Sequence, residues 1–289
     1  MKKIIKSSSI ILIILGFAVA IAFAGSQKGT MVFDVFPLFA FCVIMAFAIN
    51  WIAFLPAFIF QTEKYFDLTG SISYISVIVV GLLFSPGRDA RTLIVGILVL
   101  IWAARLGTFL FKRILKEGKD GRFDDLKQNF LSYLIVWTLQ GLWVSLTLSA
   151  ALVVVTTSTK KPLGIFALVG ITLWLIGFLI EVVADVQKSK WRTNTENKGK
   201  FINVGLWSKS RHPNYFGEII IWIGIAIIAL PVLQTWQFFT LISPVFVTIL
   251  ITRISGVPIL EKRADEKWGG LDDYKEYKKN TPVLIPKLW

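Results

Sequence analysis

The stretch GLWSKSRHPNYFGEIIIWIGIAIIAL, residues 205–230, passes from a polar loop into a long apolar run. It holds the only histidine of the chain, His212, directly before Pro213. Proline is tolerated in the first turn of a helix, because no backbone donor is lost there, so we predict that a helix begins at this proline. That helix carries Glu218 into an apolar segment, and an ionisable group at membrane depth indicates a functional site. The alternative is a basic loop at the membrane edge with one buried polar pair.

The composition of the 289 residues is typical of a membrane protein. Hydrophobic residues make up 55% of the chain and charged residues only 17%, whereas soluble domains carry more charge. We therefore predict an all-α fold, a polytopic transmembrane helical bundle of seven to eight spans. Eight apolar runs are long enough to cross a bilayer, at roughly 9–25, 33–60, 70–85, 92–111, 131–155, 163–185, 215–230 and 237–254.

The net charge of +13 comes from cations that cluster at the ends of the apolar runs. This placement argues against a nucleic-acid partner. In an eight-span arrangement most lysines and arginines lie on one side, in segments that include 112–130, 186–214 and 255–289. By the positive-inside rule these are cytoplasmic loops, and both termini lie in the cytoplasm. We expect a multi-pass integral membrane protein in contact with membrane lipids.

The two ends of the chain carry additional signals. Lys2 and Lys3 precede an apolar run that ends in the small residues 22–25, which also fits a cleavable signal peptide. We expect this run to be retained as the first helix; cleavage would leave seven spans. We assign residues 1–60 to N-terminal transmembrane helices and 61–289 to the membrane domain that carries the chemistry. The last 35 or so residues of that domain are expected to form a short amphipathic helix on the cytoplasmic face.

Polar side chains form a stripe at the end of the sixth span. Glu181, Asp185, Lys188 and Arg192 have the spacing of a single helix face. An ion-pair ladder that anchors the helix end is the alternative. The loop that follows is rich in cations, which fits either lipid headgroups or a phosphorylated cofactor. Among these cations Arg192 and Arg211 are the best candidates, because arginine binds phosphate in a bidentate manner.

Further candidates lie near other helix ends. Glu63, Tyr65 and Asp67 adjoin the third span, and a tyrosine beside a carboxylate can bind a substrate carbonyl and act as an acid. The alternative is a loop with a helix cap. Arg105 lies within the fourth span and Arg253 ends the eighth. Each needs an anionic partner at membrane depth, or else extends to the interface.

Several common sites are excluded by the residue types present. One histidine and one cysteine, Cys42, rule out the usual zinc sites and any internal disulfide, so we predict no metal. The chain contains no G-x-G-x-x-G, P-loop or G-x-S-x-G motif. Any nucleotide must therefore be held by a membrane-embedded site of another type. Gln140 in the fifth span is expected to form an interhelical hydrogen bond.

The stretch 205–224, with Arg-His-Pro-Asn-Tyr at 211–215 followed by Gly217, Glu218 and Trp222, resembles the C-terminal domain of the steroid 5-alpha-reductases. The similarity is greatest to a bacterial branch of that superfamily, and it covers about residues 60–289. It implies a seven-helix membrane reductase that binds NADPH in a cavity facing the cytoplasm. By position in the motifs, the resemblance implies that the cofactor is contacted by Asp185, Arg192, Asn214, Glu218 and Arg253. We expect the same cofactor-binding set to include Arg211, His212, Tyr215 and Arg105.

The resemblance also implies the reaction, which is NADPH-dependent reduction of the activated carbon-carbon double bond of a lipid-like substrate. The family's catalytic Gln-Glu pair is not matched, and Trp102 occupies the place of its carbonyl-binding tyrosine. Asp67, Tyr65 and Glu63 are the catalytic candidates that remain.

Two alternatives stay open. The isoprenylcysteine carboxyl methyltransferases of the same superfamily share the Arg-His-Pro-x-Tyr-x-Gly pattern and use S-adenosylmethionine. Asn214 and Glu218 favour the reductase, and the methyltransferases' Glu-Glu pair is absent around Glu261. The other alternative is a non-enzymatic lipid-binding membrane protein.

Overall fold

The computed structural model describes residues 2–287, which form ten α-helices and one short hairpin. Met1, Leu288 and Trp289 lie outside the described residues, so the signal peptide alternative, which begins at Met1, stays a prediction. The helices are α1 Lys2–Ser26, α2 Leu38–Ile59, α3 Phe66–Phe84, α4 Ala90–Glu117, α5 Phe130–Thr156, α6 Ile165–Thr193, α7 Pro213–Ala229, α8 Ile242–Ile249, α9 Gly256–Trp268 and α10 Asp272–Asn280.

Capping residues in the sequence account for several helix ends. Asp89 accepts a hydrogen bond from the backbone amide of Thr92 at 3.0 Å, at the start of α4. Asn129 does the same for the amide of Ser132 at the start of α5, also at 3.0 Å. Both side chains satisfy amides that have no partner within the helix. Gly118 ends α4 with φ of 83°, a conformation that favours glycine.

Within the described residues, eight helical segments are long and apolar enough to cross a membrane. The predicted all-α, polytopic bundle is confirmed, and the chain is an integral multi-pass membrane protein. The eight spans are Ile5–Ser26, Leu38–Ile59, Phe66–Phe84, Ala90–Lys116, Phe130–Thr156, Ile165–Thr193, Pro213–Val232 and Thr235–Trp268.

Two predicted span boundaries differ from the structure. The run predicted to begin at residue 33 contains a hairpin, in which Met31–Val32 (β1) pairs antiparallel with Phe36–Pro37 (β2). Phe33 and Asp34 have positive φ in the turn between these strands, so the helix begins only at Leu38. The sixth helix continues beyond residue 185 to Thr193, and therefore carries the whole predicted polar stripe.

The C-terminal part of the chain is more divided than the sequence predicted. The first part of the eighth span consists of a 3₁₀ segment at Thr235–Leu241, then α8, then a π-helical turn at Leu250–Ile254. The residues after it form two helices, α9 and α10, instead of one short amphipathic helix. Apolar periodicity cannot locate such changes of helix type, because every segment in the span is apolar.

The chain divides into two compact units, and the first comprises Met1–Phe166 and Ile228–Ser243. Helix α5 is at its centre, because 89% of the most apolar stretch of this helix is buried. Phe54, Phe123, Tyr133 and Trp137 form an aromatic cluster in this unit. The predicted interhelical role of Gln140 is confirmed, because its Nε2 donates a hydrogen bond to the Phe66 carbonyl at the start of α3, at 3.0 Å.

The second unit comprises Ala167–Ile227 and Pro244–Trp289, and its core is the pair α6 and α7. Their backbones are in direct contact: a Cβ atom at Gly217 would lie 2.6 Å from the carbonyl oxygen of Gly177. A Cβ atom at Gly224 would lie equally close to the Gly170 carbonyl. Small residues allow this approach within membranes. The contact places the start of α7 beside the C-terminal half of α6. The division into residues 1–60 and 61–289 that we expected from the sequence differs in kind from these compact units and stays a prediction.

Candidate functional site

The loop that precedes α7 is anchored to α6 by two side chains. The indole Nε1 of buried Trp207 donates a hydrogen bond to the Ala184 carbonyl at 3.0 Å. Gln187 Oε1 accepts one from the backbone amide of Leu206 at 2.9 Å. Helix α7 then begins at Pro213, as predicted. The residues on either side of Pro213 are therefore held in a fixed position relative to α6.

Two predicted cofactor-binding residues meet at this junction. Asn214 Nδ2 donates a hydrogen bond to Oδ1 of Asp185, which is 5% exposed, over 3.3 Å. The other polar atom of the amide, Asn214 Oδ1, is buried and accepts no hydrogen bond from any described residue. A buried acceptor without a donor costs roughly 1–3 kcal/mol, so a ligand that donates a hydrogen bond to this atom would be stabilised.

His212 and Arg211 share one carboxylate, that of Glu261 on α9. His212 Nε2 lies 2.8 Å from Glu261 Oε1, and Arg211 Nη1 lies 2.7 Å from Oε2. Burial, together with the nearby cations Lys188 and Arg211, lowers the pKa of His212 by more than Glu261 raises it, so the ring is neutral near pH 7. Nε2–H then donates to the carboxylate and Nδ1 is an acceptor. This Nδ1 is buried and has no partner among residues 2–287.

Tyr215 connects the loop to the segment that contains Arg253. The rings of His212 and Tyr215 stack with centroids 5.7 Å apart. A Cβ atom at Gly256 would lie 2.6 Å from the Tyr215 ring, so only glycine permits this contact. Gly256 follows the π-helical turn in which Arg253 lies exposed. Such turns are rare and occur frequently at functional sites.

Three further predicted cofactor-binding residues lie on helices α4, α6 and α7. Arg192 is exposed in the last turn of α6, and Glu218 is half-buried near the start of α7. Both belong to the second unit. Arg105 belongs to the first unit, on α4, where its guanidinium lies over the Phe109 ring at 5.4 Å from the centroid.

The three predicted catalytic residues belong to the first unit, and Glu63 is fully engaged there. Its side chain is 3% exposed. Lys127 Nζ donates to Oε2 at 2.8 Å and the Asp120 amide donates to Oε1 at 2.9 Å. Burial alone would raise the pKa of Glu63, but these two donors more than offset it and hold the pKa below its usual value. Glu63 is therefore an ionised anchor between segments.

Asp67 and Tyr65 lie at the start of α3. Asp67 is in the first turn, where the helix dipole favours a carboxylate, and its Oδ2 lies 3.4 Å from Arg113 Nη2. Tyr65 immediately precedes the helix, is 56% exposed and stacks on Phe111. The structure thus brings an accessible phenol and a carboxylate to the same helix start.

Sequence reasoning missed two elements of the second unit. Glu261 was noted only for the methyltransferase comparison, although it joins Arg211 and His212. The C-terminal residues also reach back to the loop: Ser210 Oγ donates to the Leu284 carbonyl at 2.7 Å, and the Arg211 amide donates to the Pro282 carbonyl at 2.9 Å. The only signal for the carboxylate was that a buried Arg-His pair needs one.

Two curated relatives of the chain carry the same name. The Mus musculus protein named 3-oxo-5-alpha-steroid 4-dehydrogenase 1 is 28% identical over 182 residues, which cover 63% of each protein. The Bos taurus protein of that name is 31% identical over 123 residues, 42% of each. The chain thus spans less than two thirds of the length of these curated relatives. No solved structure matches it.

A family model described as "Protein of unknown function (DUF1295)" matches residues 51–281, most of the chain. Both this family model and the named relatives support the resemblance to the steroid 5-alpha-reductases that the sequence indicated. The chain therefore belongs to the DUF1295 family, and its similarity to the steroid 5-alpha-reductases is confirmed.

Proposed function

We propose that the protein is an integral membrane reductase that uses NADPH to reduce the activated carbon-carbon double bond of a lipid-like substrate, such as an enone. One observation carries the proposal: two buried acceptors at the start of α7, Asn214 Oδ1 and His212 Nδ1, lack a donor among the described residues. The names of the relatives support the same class of reaction.

These two acceptors fit a dinucleotide. The carboxamide of nicotinamide offers N–H groups, which the two orphaned acceptors can accept. Asp185 would hold Asn214 in place through their hydrogen bond, and Glu218 and Tyr215 lie on the same helix start. The phosphates need cations. We assign this role to Arg192 and Arg253, which are exposed, and to Arg211, which also forms an ion pair with Glu261. Arg105 is the fourth cation of the proposed set.

Reduction of a double bond requires a hydride for one carbon and a proton for the other. NADPH, when bound, supplies the hydride. We assign the proton to Tyr65 or Asp67, because both carboxylate oxygens of Glu63 already accept hydrogen bonds. Tyr65 is the more accessible of the two, whereas Asp67 lies beside the guanidinium of Arg113.

The test of this function is NADPH oxidation by purified protein with a panel of apolar enones, followed by the absorbance of the reduced nicotinamide. We expect oxidation that depends on the enone. Tyr65→Phe or Asp67→Asn is expected to lower kcat at least tenfold with little change in the KM for NADPH. Methyl transfer from S-adenosylmethionine without enone-dependent oxidation would support the methyltransferase instead.

We further propose that the protein lies in the bacterial inner membrane with both termini in the cytoplasm, as the distribution of cations favours. Cysteines introduced by Lys160→Cys and Lys198→Cys, in a Cys42→Ala background, provide a matched pair of probes. A membrane-impermeant thiol reagent applied to spheroplasts should label position 160 only, and position 198 only after permeabilisation. Labelling of position 198 in sealed spheroplasts would contradict this orientation.

A further inference from the structure

The C-terminal residues of the second unit line an open cavity, and apart from Arg211 its residues have no part in the proposed reaction. Its volume is about 560 Å³, and the end of α10 and residues 281–287 form most of its wall. We call it the tail cavity. Arg211, Lys278, Lys279 and Lys287 line it, and no aspartate or glutamate does.

Two of these four cations have a carboxylate partner. Arg211 Nη1 lies 2.7 Å from Glu261, and Lys278 Nζ lies 2.6 Å from Asp265. Lys279 and Lys287 are exposed, and neither forms an ion pair with a residue in the range 2–287. The tail cavity therefore presents two uncompensated positive charges, with two more close by whose fields are only partly neutralised.

The wall of the tail cavity is held in place by the backbone. The Arg211 amide donates to the Pro282 carbonyl and the Lys287 amide donates to the Lys209 carbonyl, each at 2.9 Å. Thr281, which is 5% exposed, is fixed to the end of α10 because its backbone amide donates a hydrogen bond to the Tyr277 carbonyl at 2.9 Å. A ligand would therefore meet cations whose backbone is already ordered, which reduces the entropy lost on binding.

Apolar side chains lie among the cations. Val283 and Ile285 line the tail cavity and are 38% and 69% exposed. Cations beside exposed aliphatic side chains suit a ligand with an anionic group and an apolar part. A phospholipid has both, and a soluble phosphate compound supplies the anionic group alone.

The geometry points to the tail cavity as a binding site for a phosphate group, held by Lys279 and Lys287 with support from Arg211 and Lys278. Arg211 is common to this site and the proposed dinucleotide site, whereas Lys278, Lys279 and Lys287 belong to the tail cavity and not to the dinucleotide site. The inference does not rest on the proposed reaction.

The experiment compares two double variants of the full-length protein in detergent. Lys279→Gln with Lys287→Gln removes the uncompensated charges of the tail cavity. Lys262→Gln with Lys275→Gln removes two exposed charges from α9 and α10 outside it, so that net charge is matched. Native mass spectrometry measures retention of phosphatidylglycerol against phosphatidylcholine, and a titration with inorganic phosphate measures binding of the soluble anion.

We expect the wild type to bind at least one of these two anions. Its affinity should fall roughly tenfold or more in the tail cavity variant and remain unchanged in the matched control. Preference for phosphatidylglycerol identifies a lipid headgroup as the source, and binding of phosphate alone identifies a soluble one.

Three results would overturn the inference. They are no binding of either anion by the wild type, an equal loss in both double variants, and a loss of NADPH affinity with unchanged binding of both anions in the tail cavity variant. Failure of the proposed reaction with normal anion binding would leave the inference intact. A thermal melt of each variant within a few degrees of wild type confirms that all are folded.

Discussion

Replacement of Asn214 by leucine is expected to weaken NADPH binding by about thirtyfold, which corresponds to roughly 2 kcal/mol. The change keeps the approximate volume of the side chain but removes the buried Oδ1 acceptor that has no donor among the described residues. In the variant, a ligand N–H group that enters the site gives up its hydrogen bond with water and finds no protein acceptor in exchange. Isothermal titration of detergent-purified protein with NADPH measures the effect.

The matched control is Asn203→Leu, because Asn203 is exposed in the loop before α7. We expect it to bind NADPH as tightly as the wild type. Loss of the bond from Asn214 Nδ2 to Asp185 also affects stability, so the melting temperature of each variant must be measured. A folded Asn214→Leu protein with unchanged affinity would remove Asn214 from the site.

Substitution of Glu261 by glutamine is expected to lower the free energy of unfolding by about 3 kcal/mol. The Glu261 carboxylate lies within 2.8 Å of both Arg211 and His212, whose side chains are only 11% and 5% exposed. Without it, a nearly buried guanidinium loses its nearest counter-charge, and breaking a buried pair on one side is more costly than losing an exposed pair. Denaturant unfolding in detergent, followed by tryptophan fluorescence, gives the difference.

Glu266→Gln on the same helix is the matched control. Glu266 is 64% exposed on the side chain and lies 3.9 Å from Lys262, so its loss is expected to change stability by at most about 0.5 kcal/mol. Similar small effects of the two substitutions would show that the Arg211–His212–Glu261 group contributes little to the second unit.

Periodicity and composition were sufficient to predict the helical class and the spans. Long apolar runs separated by charged loops have few alternative structures in a membrane, because every backbone polar group must be satisfied internally. The start of α7 was predictable for a local reason, since Pro213 directly precedes the apolar run. The hairpin at 31–37 was not predicted, because all of its residues except Asp34 are apolar and it runs directly into the apolar helix that follows.

The candidate site was predictable only in part. Asp185 and Asn214 were both named from the motif, and the hydrogen bond between them supports placing them together. The role of Glu261 depends on how α9 returns to the loop before α7, a tertiary contact that no local pattern encodes. The same holds for Ser210, whose hydroxyl bonds to the Leu284 carbonyl more than 70 residues later.

The two orphaned acceptors became visible only from coordinates. A sequence shows which residues carry acceptors, but not which of those atoms are buried without a donor. Glu63 illustrates the reverse case, because its sequence position suggested chemistry and its two engaged oxygens indicate an anchor.

The most direct test of the account is a titration of the purified wild-type protein with NADPH, NADH and S-adenosylmethionine under identical conditions. The account predicts saturable binding of NADPH, weaker binding of NADH because a 2′-phosphate engages an additional cation, and no binding of S-adenosylmethionine. Tight binding of S-adenosylmethionine with no affinity for either dinucleotide would contradict it.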